Sequence, residues 1–520
     1  MRKAFATGVA AIALTGCAIG ATLRSYDIAP NGIERSEERL RLALPFALRD
    51  STRRDSAGTA INRDWPDDAL LKSLYQGVFA YYGGRYRTSQ TRLNEAAELT
   101  DARFTKSVSQ NALALLVNDR ALDYQPGTNE ILLTHYYAAL AYLAGGDLEG
   151  ATVEARRLGY LLERDQGDVE PRERNTRAML RWFTGAIFES AGERNDALVS
   201  YRNARVMQGI AADTGDDRLA TDRLQSDSGE VLIIVEQGYV AFPTPFSLSL
   251  QVYKHEWGYL GASDHGRQAW MAASVGNRVV AQLATMPDEG LYYGAPALML
   301  AGDDQRWGAM SLPRDGQEVT ILANNRRAYR YPAHWGNAPL YLGIPEQIIK
   351  LSVPVYRRAR SAPPVSISAA GVSAARPFIA ASISDAEIAD FKRERTWIYA
   401  RAVLRTAIKA IVAKEAKDAA ERTAARDAKT DADKKRAERW GDLFGLLTSA
   451  AGAILERADT RSWNLLPNAV SLVRVRLPAG TQTIVVNAGG AQSVEVRDVV
   501  VRPGQLTFAT RRLWGSEGEW

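Results

Sequence analysis

Met179-Leu-Arg-Trp-Phe-Thr-Gly-Ala-Ile-Phe-Glu-Ser-Ala-Gly-Glu-Arg-Asn-Asp-Ala-Leu-Val-Ser-Tyr-Arg-Asn-Ala204 reads as two short helices joined by a tight turn. Apolar residues recur three and four apart on either side of Gly192-Glu193-Arg194, the period of a helix with one buried face. Small and large residues alternate in function: Gly185, Ala197 and Ala204 sit where paired helices must touch, and Phe188 and Tyr201 fill the space between them. Glycine at 192 supplies the left-handed residue that a helix end requires. The same layout occurs twice more upstream. One copy has Gly77, Gly84 and Ala96 around Gly83-Gly84-Arg85; the other has Ala139, Tyr142, Gly146 and Ala151 around Gly145-Gly146-Asp147. Self-similarity at the scale of a helix pair marks a repeat architecture.

These spacings resemble the tetratricopeptide repeat. The resemblance implies an α-solenoid over residues 65–210, with a plain helical bundle as the alternative. Between copies, Phe104 to Val117 reads as an unpaired or degenerate helix, interrupted by Gln125-Pro126-Gly127. In such repeats the inner face of each first helix lines a groove, and steps of −6, −3, +1 and +4 from the small packing residue stay on that face. They select Leu71, Leu74, Val78 and Tyr81 around Gly77, then Leu133, Tyr136, Leu140 and Leu143 around Ala139. Around Gly185 they select Met179, Trp182, Ala186 and Glu189. This apolar, aromatic strip with one charge is expected either to accept an apolar partner segment or to be filled by the chain's own elements, Leu443–Leu455 being one candidate.

Downstream the texture changes, so the whole chain is expected to be a multidomain α+β protein. Residues 228–384 read as a mixed α/β domain. Val231 to Val235 is a continuous apolar, mostly β-branched run, and strand-like stretches follow at Phe246–Tyr253, Ala297–Leu300, Val319–Ala323 and Ile348–Tyr356. Gln268 to Met286 is expected to be a helix. Residues 385–460 are expected to be helical, opening with the capping-box spacing of Ser384 and Glu387. Along Trp397, Arg401, Arg405 and Lys409 one face carries a basic stripe, and Lys and Arg outnumber Asp and Glu by 15 to 8 between Lys392 and Trp440. A solvated face, a contact to anionic lipid and a contact to peptidoglycan all fit that stripe. Leu443 to Leu455 is too short to cross a membrane and reads as a core helix. Residues 468–514 alternate through Leu472–Leu477, Thr483–Val486, Val494–Val496, Val499–Val501 and Leu506–Phe508, with turns at Pro478-Ala479-Gly480 and Pro503-Gly504, as in a small β-sandwich. They resemble PEGA and carboxypeptidase-regulatory-like modules, which are not catalytic.

Composition narrows the function. Across 520 residues, 65 Lys and Arg against 60 Asp and Glu leave a formal net charge of +5, too small for an electrostatic case for nucleic-acid binding. One cysteine excludes intrachain disulfides and cysteine-based zinc sites. It is Cys17, preceded by Met1-Arg2-Lys3, an apolar stretch from Ala4 to Leu14, and Leu14-Thr15-Gly16. This is signal-peptide anatomy for residues 1–16. Leu-Thr-Gly-Cys further resembles the bacterial lipobox, which implies lipidation of Cys17, with 17–64 as a tether. Ala18 after the cysteine resembles the signal for outer-membrane export.

Three motifs in this order carry a resemblance to a broadly distributed family of bacterial lipoproteins with tetratricopeptide-like N-terminal halves. They are Leu140-Ala-Tyr-Leu-Ala-Gly-Gly-Asp-Leu-Glu-Gly-Ala151 with Val153-Glu-Ala-Arg-Arg157, Gly229-Glu-Val-Leu-Ile-Ile-Val-Glu-Gln-Gly238, and Ala458-Asp-Thr-Arg-Ser-Trp463. That family has no established enzymatic activity, so the resemblance implies architecture and location: a periplasm-facing outer-membrane lipoprotein that scaffolds protein partners in the cell envelope. The alternative is a cell-wall-binding or cell-wall-processing enzyme with its site in 228–384. No phosphate-binding loop, dinucleotide fingerprint or nucleophile elbow occurs. His135 is expected to be packing, His255 and His265 with Asp264 match no familiar ligand spacing, and His334 stands apart. No metal and no cofactor are expected. Asp459 and Arg461 are expected to form an ion pair.

Overall fold

Asp68 opens the first helix, its carboxylate accepting from the Leu71 backbone at 3.0 Å. In the computed structural model, three helical hairpins follow: α1 (Ala69–Tyr82) with α2 (Tyr86–Ala114), α3 (Thr128–Ala144) with α4 (Leu148–Arg164), and α5 (Pro171–Ser190) with α6 (Arg194–Met207). The structure describes residues 68–114, 123–164, 169–210, 227–252, 347–356, 361–426, 456–489 and 492–513. It also describes strands at 298–299, 309–310, 318–324 and 327–332, and single positions at 66, 219 and within 430–448.

All three turns lie where the glycines place them. Gly84, Gly146 and Gly192 take φ of 73°, 80° and 78°, the left-handed region. The small packing residues are needed for contact: a Cβ on Gly77 would stand 2.6 Å from Leu93, and one on Gly185 would stand 2.4 Å from the Tyr201 ring. Each helix packs on the next in sequence. The helix read from Phe104 to Val117 is not a separate one, because α2 continues through Phe104 to Ala114 as one helix of 29 residues. Nothing in that stretch is a breaker, and the Pro126-Gly127 pair comes only afterwards.

The strands are β1 (Ser228–Gln237), β2 (Pro243–Val252), β3 (Leu298–Met299), β4 (Ala309–Met310), β5 (Glu318–Asn324), β6 (Arg327–Pro332) and β7 (Gln347–Tyr356). They continue with β8 (Val365–Ala369), β9 (Val372–Ala375), β10 (Ile379–Ser382), β11 (Ala469–Pro478), β12 (Gly480–Ala488), β13 (Gln492–Val501) and β14 (Leu506–Leu513). A long helix, α7 (Ile383–Ala425), separates β10 from β11. The described chain is therefore mixed, helical first and then strand-rich around one long helix.

Three four-stranded sheets form, in the orders β10-β11-β1-β14, β13-β12-β8-β9 and β6-β5-β2-β7. The first joins segments that sequence alone separates. β1 pairs antiparallel with β11 (Val231 opposite Val475) and parallel with β14 (Val231 opposite Thr507). The cause is visible in β1 itself. Its Val-Leu-Ile-Ile-Val run is buried on both faces, as a central strand with layers above and below must be. Leu232 and Ile234 enter the core shared with the helices, and Val231, Ile233 and Val235 enter the core shared with Ile484, Val486 and Ile367 of the second sheet. Helices, first sheet and second sheet are thus three successive layers. The third sheet packs on α7, where the Tyr356 and Phe391 rings lie 4.8 Å apart.

α7 starts earlier than the capping-box spacing suggests. Ser382, at the end of β10, caps it by accepting from Asp385 N at 3.1 Å. Ser384 instead accepts from Ala241 N at 2.8 Å, and Glu387 is turned inward. The basic stripe on α7 is also used internally. Arg405 is fully buried, with Nη2 2.8 Å from Glu456 Oε1, and Lys409 pairs with the other Glu456 oxygen. A buried guanidinium cannot face solvent or lipid, so the outward reading of the stripe fails at these two residues. Trp397 alone of the four is strongly exposed, with Arg401 6.0 Å over its ring.

Candidate functional site

The strip selected as a groove is core. Leu74, Val78, Tyr81, Tyr136, Leu140 and Met179 are all buried, and Leu143 and Trp182 are half-buried at its edge. What covers them is the helix-facing row of the first sheet: Leu232 and Ile234, Val470 and Leu472, Leu506 and Phe508, joined by the Trp463–Leu466 loop. Leu443–Leu455 lies largely outside the described residues. Trp182 closes the edge, 5.1 Å from the Phe378 ring and 4.9 Å from that of Tyr201, with its Nε1 donating to Gln208 at 2.9 Å.

The single charge of the strip explains its occupant. Glu189 is buried, and Arg474 of β11 donates to both its carboxylate oxygens at 2.8 and 2.9 Å. Tyr201 adds a hydroxyl donor at 2.6 Å, and Arg474 also reaches Glu230 of β1. At the other end Glu236 of β1 is buried among α1 and α3. It accepts from Tyr82 at 2.7 Å, Tyr137 at 2.9 Å and Tyr136 at 3.2 Å, with the Arg512 guanidinium 5.7 Å from the centre of the Tyr82 ring. Burial beside this carboxylate pushes all three phenols far above their ordinary range. The carboxylates of Glu189 and Glu236 are met by Arg474 and by three tyrosines, which is how a sheet containing Glu and Arg can be buried.

A second cluster lies where α3, α5 and α7 converge. Glu130 accepts from Trp463 N at 2.8 Å and from Gly127 N at 3.1 Å, and the Tyr124 hydroxyl donates to it as well. Asp390 accepts from Asn129 N at 3.1 Å, and Arg393 bridges Asp390 and the fully buried Glu173. Glu387 is buried among them, and its Oε1 has no hydrogen-bond partner among the described residues. Desolvation first, and then the charges of Glu130, Asp390 and Glu173, push its carboxyl well above the usual range. Glu130 and Asp390 are raised too, chiefly by burial. Tyr356 of β7 is raised by the same surroundings. The arrangement is enclosed, and its chemistry is that of a joint between helices.

A raised folded-state pKa means that stability from Glu387 is complete below the unfolded value of about 4.3. It is lost as pH rises toward the folded value. Glu387→Gln is therefore expected to stabilise the protein at neutral pH and to shrink the loss of stability between pH 5 and 8. Urea midpoints at the two pH values measure this, and an unchanged pH dependence would contradict the assignment.

The open surface is on the other side of the helices. Between α2 and α4, over α3, runs a groove of about 630 Å³. His135 and Tyr142 line its α3 side, and Leu161 lines its α4 side. His135 is buried, its Nδ1 2.7 Å from Glu154, which Arg157 also contacts at 2.9 Å. So His135 is packing as expected, yet it borders an opening. Along the rim stand Glu98 and Asp101 of α2 and Glu149, Val153 and Tyr160 of α4. Tyr160 is 65% exposed, an unusual fraction for a tyrosine on an otherwise amphipathic helix. The Val153-Glu-Ala-Arg-Arg157 motif marks this helix in the sequence, and its outward Val153 and Tyr160 were the available signal for the groove.

Asp459 and Arg461 do pair, with Nη2 to Oδ2 at 2.7 Å. Cys17, His255, Asp264, His265, His334 and the expected helix at 268–286 lie outside the described residues. Among the described residues no group of three or more His, Cys, Asp and Glu could hold a metal ion, and no helix is long and apolar enough to cross a membrane. Comparison with protein-family models, with curated proteins and with solved structures finds no match.

Proposed function

We propose that the protein is a lipid-anchored scaffold of the cell envelope, fixed to the outer membrane through Cys17 and facing the periplasm. Its three hairpins act as a short tetratricopeptide-like solenoid, and the two stacked sheets act as a β-sandwich that braces it. The observation that carries this reading is the groove between α2 and α4. The inner face is spent on the chain's own sheet, and the second helices are what remains for a partner. Peptidoglycan contact through the exposed part of α7 fits the same location.

The anchor has its own test. Three acyl chains at ~0.8 kcal/mol per buried methylene would hold the chain on a membrane permanently. Cys17→Ser is expected to leave an unprocessed precursor or a soluble form, and fractionation with the membrane as before would refute lipidation. The scaffold is tested with a photoreactive residue at position 160 in the full, lipidated chain. Crosslinking in cells is expected to yield a protein adduct, absent when the same residue is placed at the exposed Arg497. No adduct at 160 would remove the basis for a scaffold.

A further inference from the structure

We propose that the groove between α2 and α4 takes a cationic peptide segment, one in which Lys or Arg side chains alternate with apolar ones. This rests on the scaffold reading and names the chemistry of the partner.

Charge is the first argument. Glu98 and Asp101 stand on the α2 rim and Glu149 on the α4 rim, all exposed, and none of the three makes an ion pair or a side-chain hydrogen bond among the described residues. Of the two arginines of the same opening, one is held in an ion pair and the other lies over a ring. Arg157 is held by Glu154 at 2.9 Å, and Arg164 lies 6.0 Å from the centre of the Tyr160 ring. Among the described residues the wall therefore offers three negative charges outside any ion pair, against one guanidinium, Arg164, that meets a ring alone. An acidic or phosphorylated ligand would meet like charge here, whereas a basic one gains ion pairs and faster encounter.

The apolar half of the ligand follows from the rest of the lining. Val153 is 41% exposed and Tyr160 65%, seven residues apart and so on one side of α4. Leu161 and the Tyr142 ring lie between the two rims, Tyr142 receiving a hydrogen bond from Asn94 at 3.0 Å. A tyrosine left this exposed beside aliphatic groups gives a cationic side chain a ring face to stack on and an apolar one a surface to cover. At about 630 Å³ the space matches the few side chains of a peptide and is far too small for a folded domain.

The test uses the full mature chain and a fluorescein-labelled peptide of three Lys-Leu-Arg-Ala repeats, followed by polarisation at physiological salt. Glu98→Lys, Asp101→Lys and Glu149→Lys together are expected to weaken binding at least tenfold. The matched reversal at Glu415, Asp431 and Glu495, on other elements, is expected to change it less than twofold. Tyr160→Ala alone is expected to cost three- to tenfold. All these positions are exposed, so the variants should fold, and unchanged melting temperatures check this. Equal loss from both triple variants would reveal only diffuse attraction and overturn the proposal. So would preference for a peptide with Glu in place of Lys and Arg. A position-160 crosslink in cells that survives the Glu98, Asp101 and Glu149 reversal would overturn the cationic peptide while leaving the scaffold standing. Absence of any such crosslink in the unaltered chain would remove the scaffold as well.

Discussion

Trp463→Ala is expected to lower stability by about 3–5 kcal/mol, the cost of emptying a large aromatic site that cannot collapse. The side chain is fully buried at the meeting point of the helices and the first sheet, 5.8 Å from the Tyr137 ring. Its backbone N–H is tied to Glu130 across 333 residues of sequence. The indole Nε1 finds no hydrogen-bond partner among the described residues, so the loss is one of volume and contact. Trp463→Phe, which keeps most of the ring, is expected to cost less than half as much. Chemical denaturation of the three proteins measures the difference, and a loss below about 1 kcal/mol for the alanine variant would mean that the loop does not plug the core.

Glu236→Leu is the second large effect. The carboxylate accepts from three tyrosines and offsets the charge of Arg512, which also donates to the Leu465 and Leu466 carbonyls at 3.3 Å. Removing it leaves a buried guanidinium and three phenols short of a partner, expected to cost about 3–5 kcal/mol. Glu236→Gln keeps an acceptor for the tyrosines but not the charge, and is expected to fall between. If leucine were tolerated as well as glutamine, the cluster would be incidental to the docking of sheet on helices.

Local pattern made some of this architecture legible. The hairpin turns at Gly84, Gly146 and Gly192 follow from glycine's access to positive φ, and Gly77 and Gly185 follow from the contact that a Cβ would block. β1 was recognisable as a doubly buried strand, because five consecutive apolar residues leave no face for water. What that strand pairs with was not legible. Apolar burial on two faces states that there are layers above and below, and it says nothing about which segments supply them. Here β1 recruits β11 and β14 from more than 230 residues away.

The same gap explains the groove. A strip of Leu, Tyr and Trp looks alike whether a partner or the chain's own sheet covers it, and only the complement of Glu189 distinguishes the two. That complement, Arg474, lies on an alternating strand whose register cannot be read from either residue alone. Arg405, Lys409 and Glu456 repeat the lesson on α7: a four-residue step identifies a face, and the partner that buries it is distant.

That the chain's own sheet fills the inner face of its helices is tested most directly by a double-mutant cycle between Glu189 and Arg474. The two residues are 285 positions apart and joined by two charge-assisted hydrogen bonds. Stabilities of the full chain with Glu189→Ala, Arg474→Met and both together give the coupling energy. A coupling of at least about 1.5 kcal/mol is predicted, since Arg474→Met strands the buried Glu189 carboxylate and Glu189→Ala leaves Arg474 with Glu230 as its one carboxylate partner among the described residues. Additivity within about 0.5 kcal/mol would mean that the two do not touch and that the inner face of the helices is open.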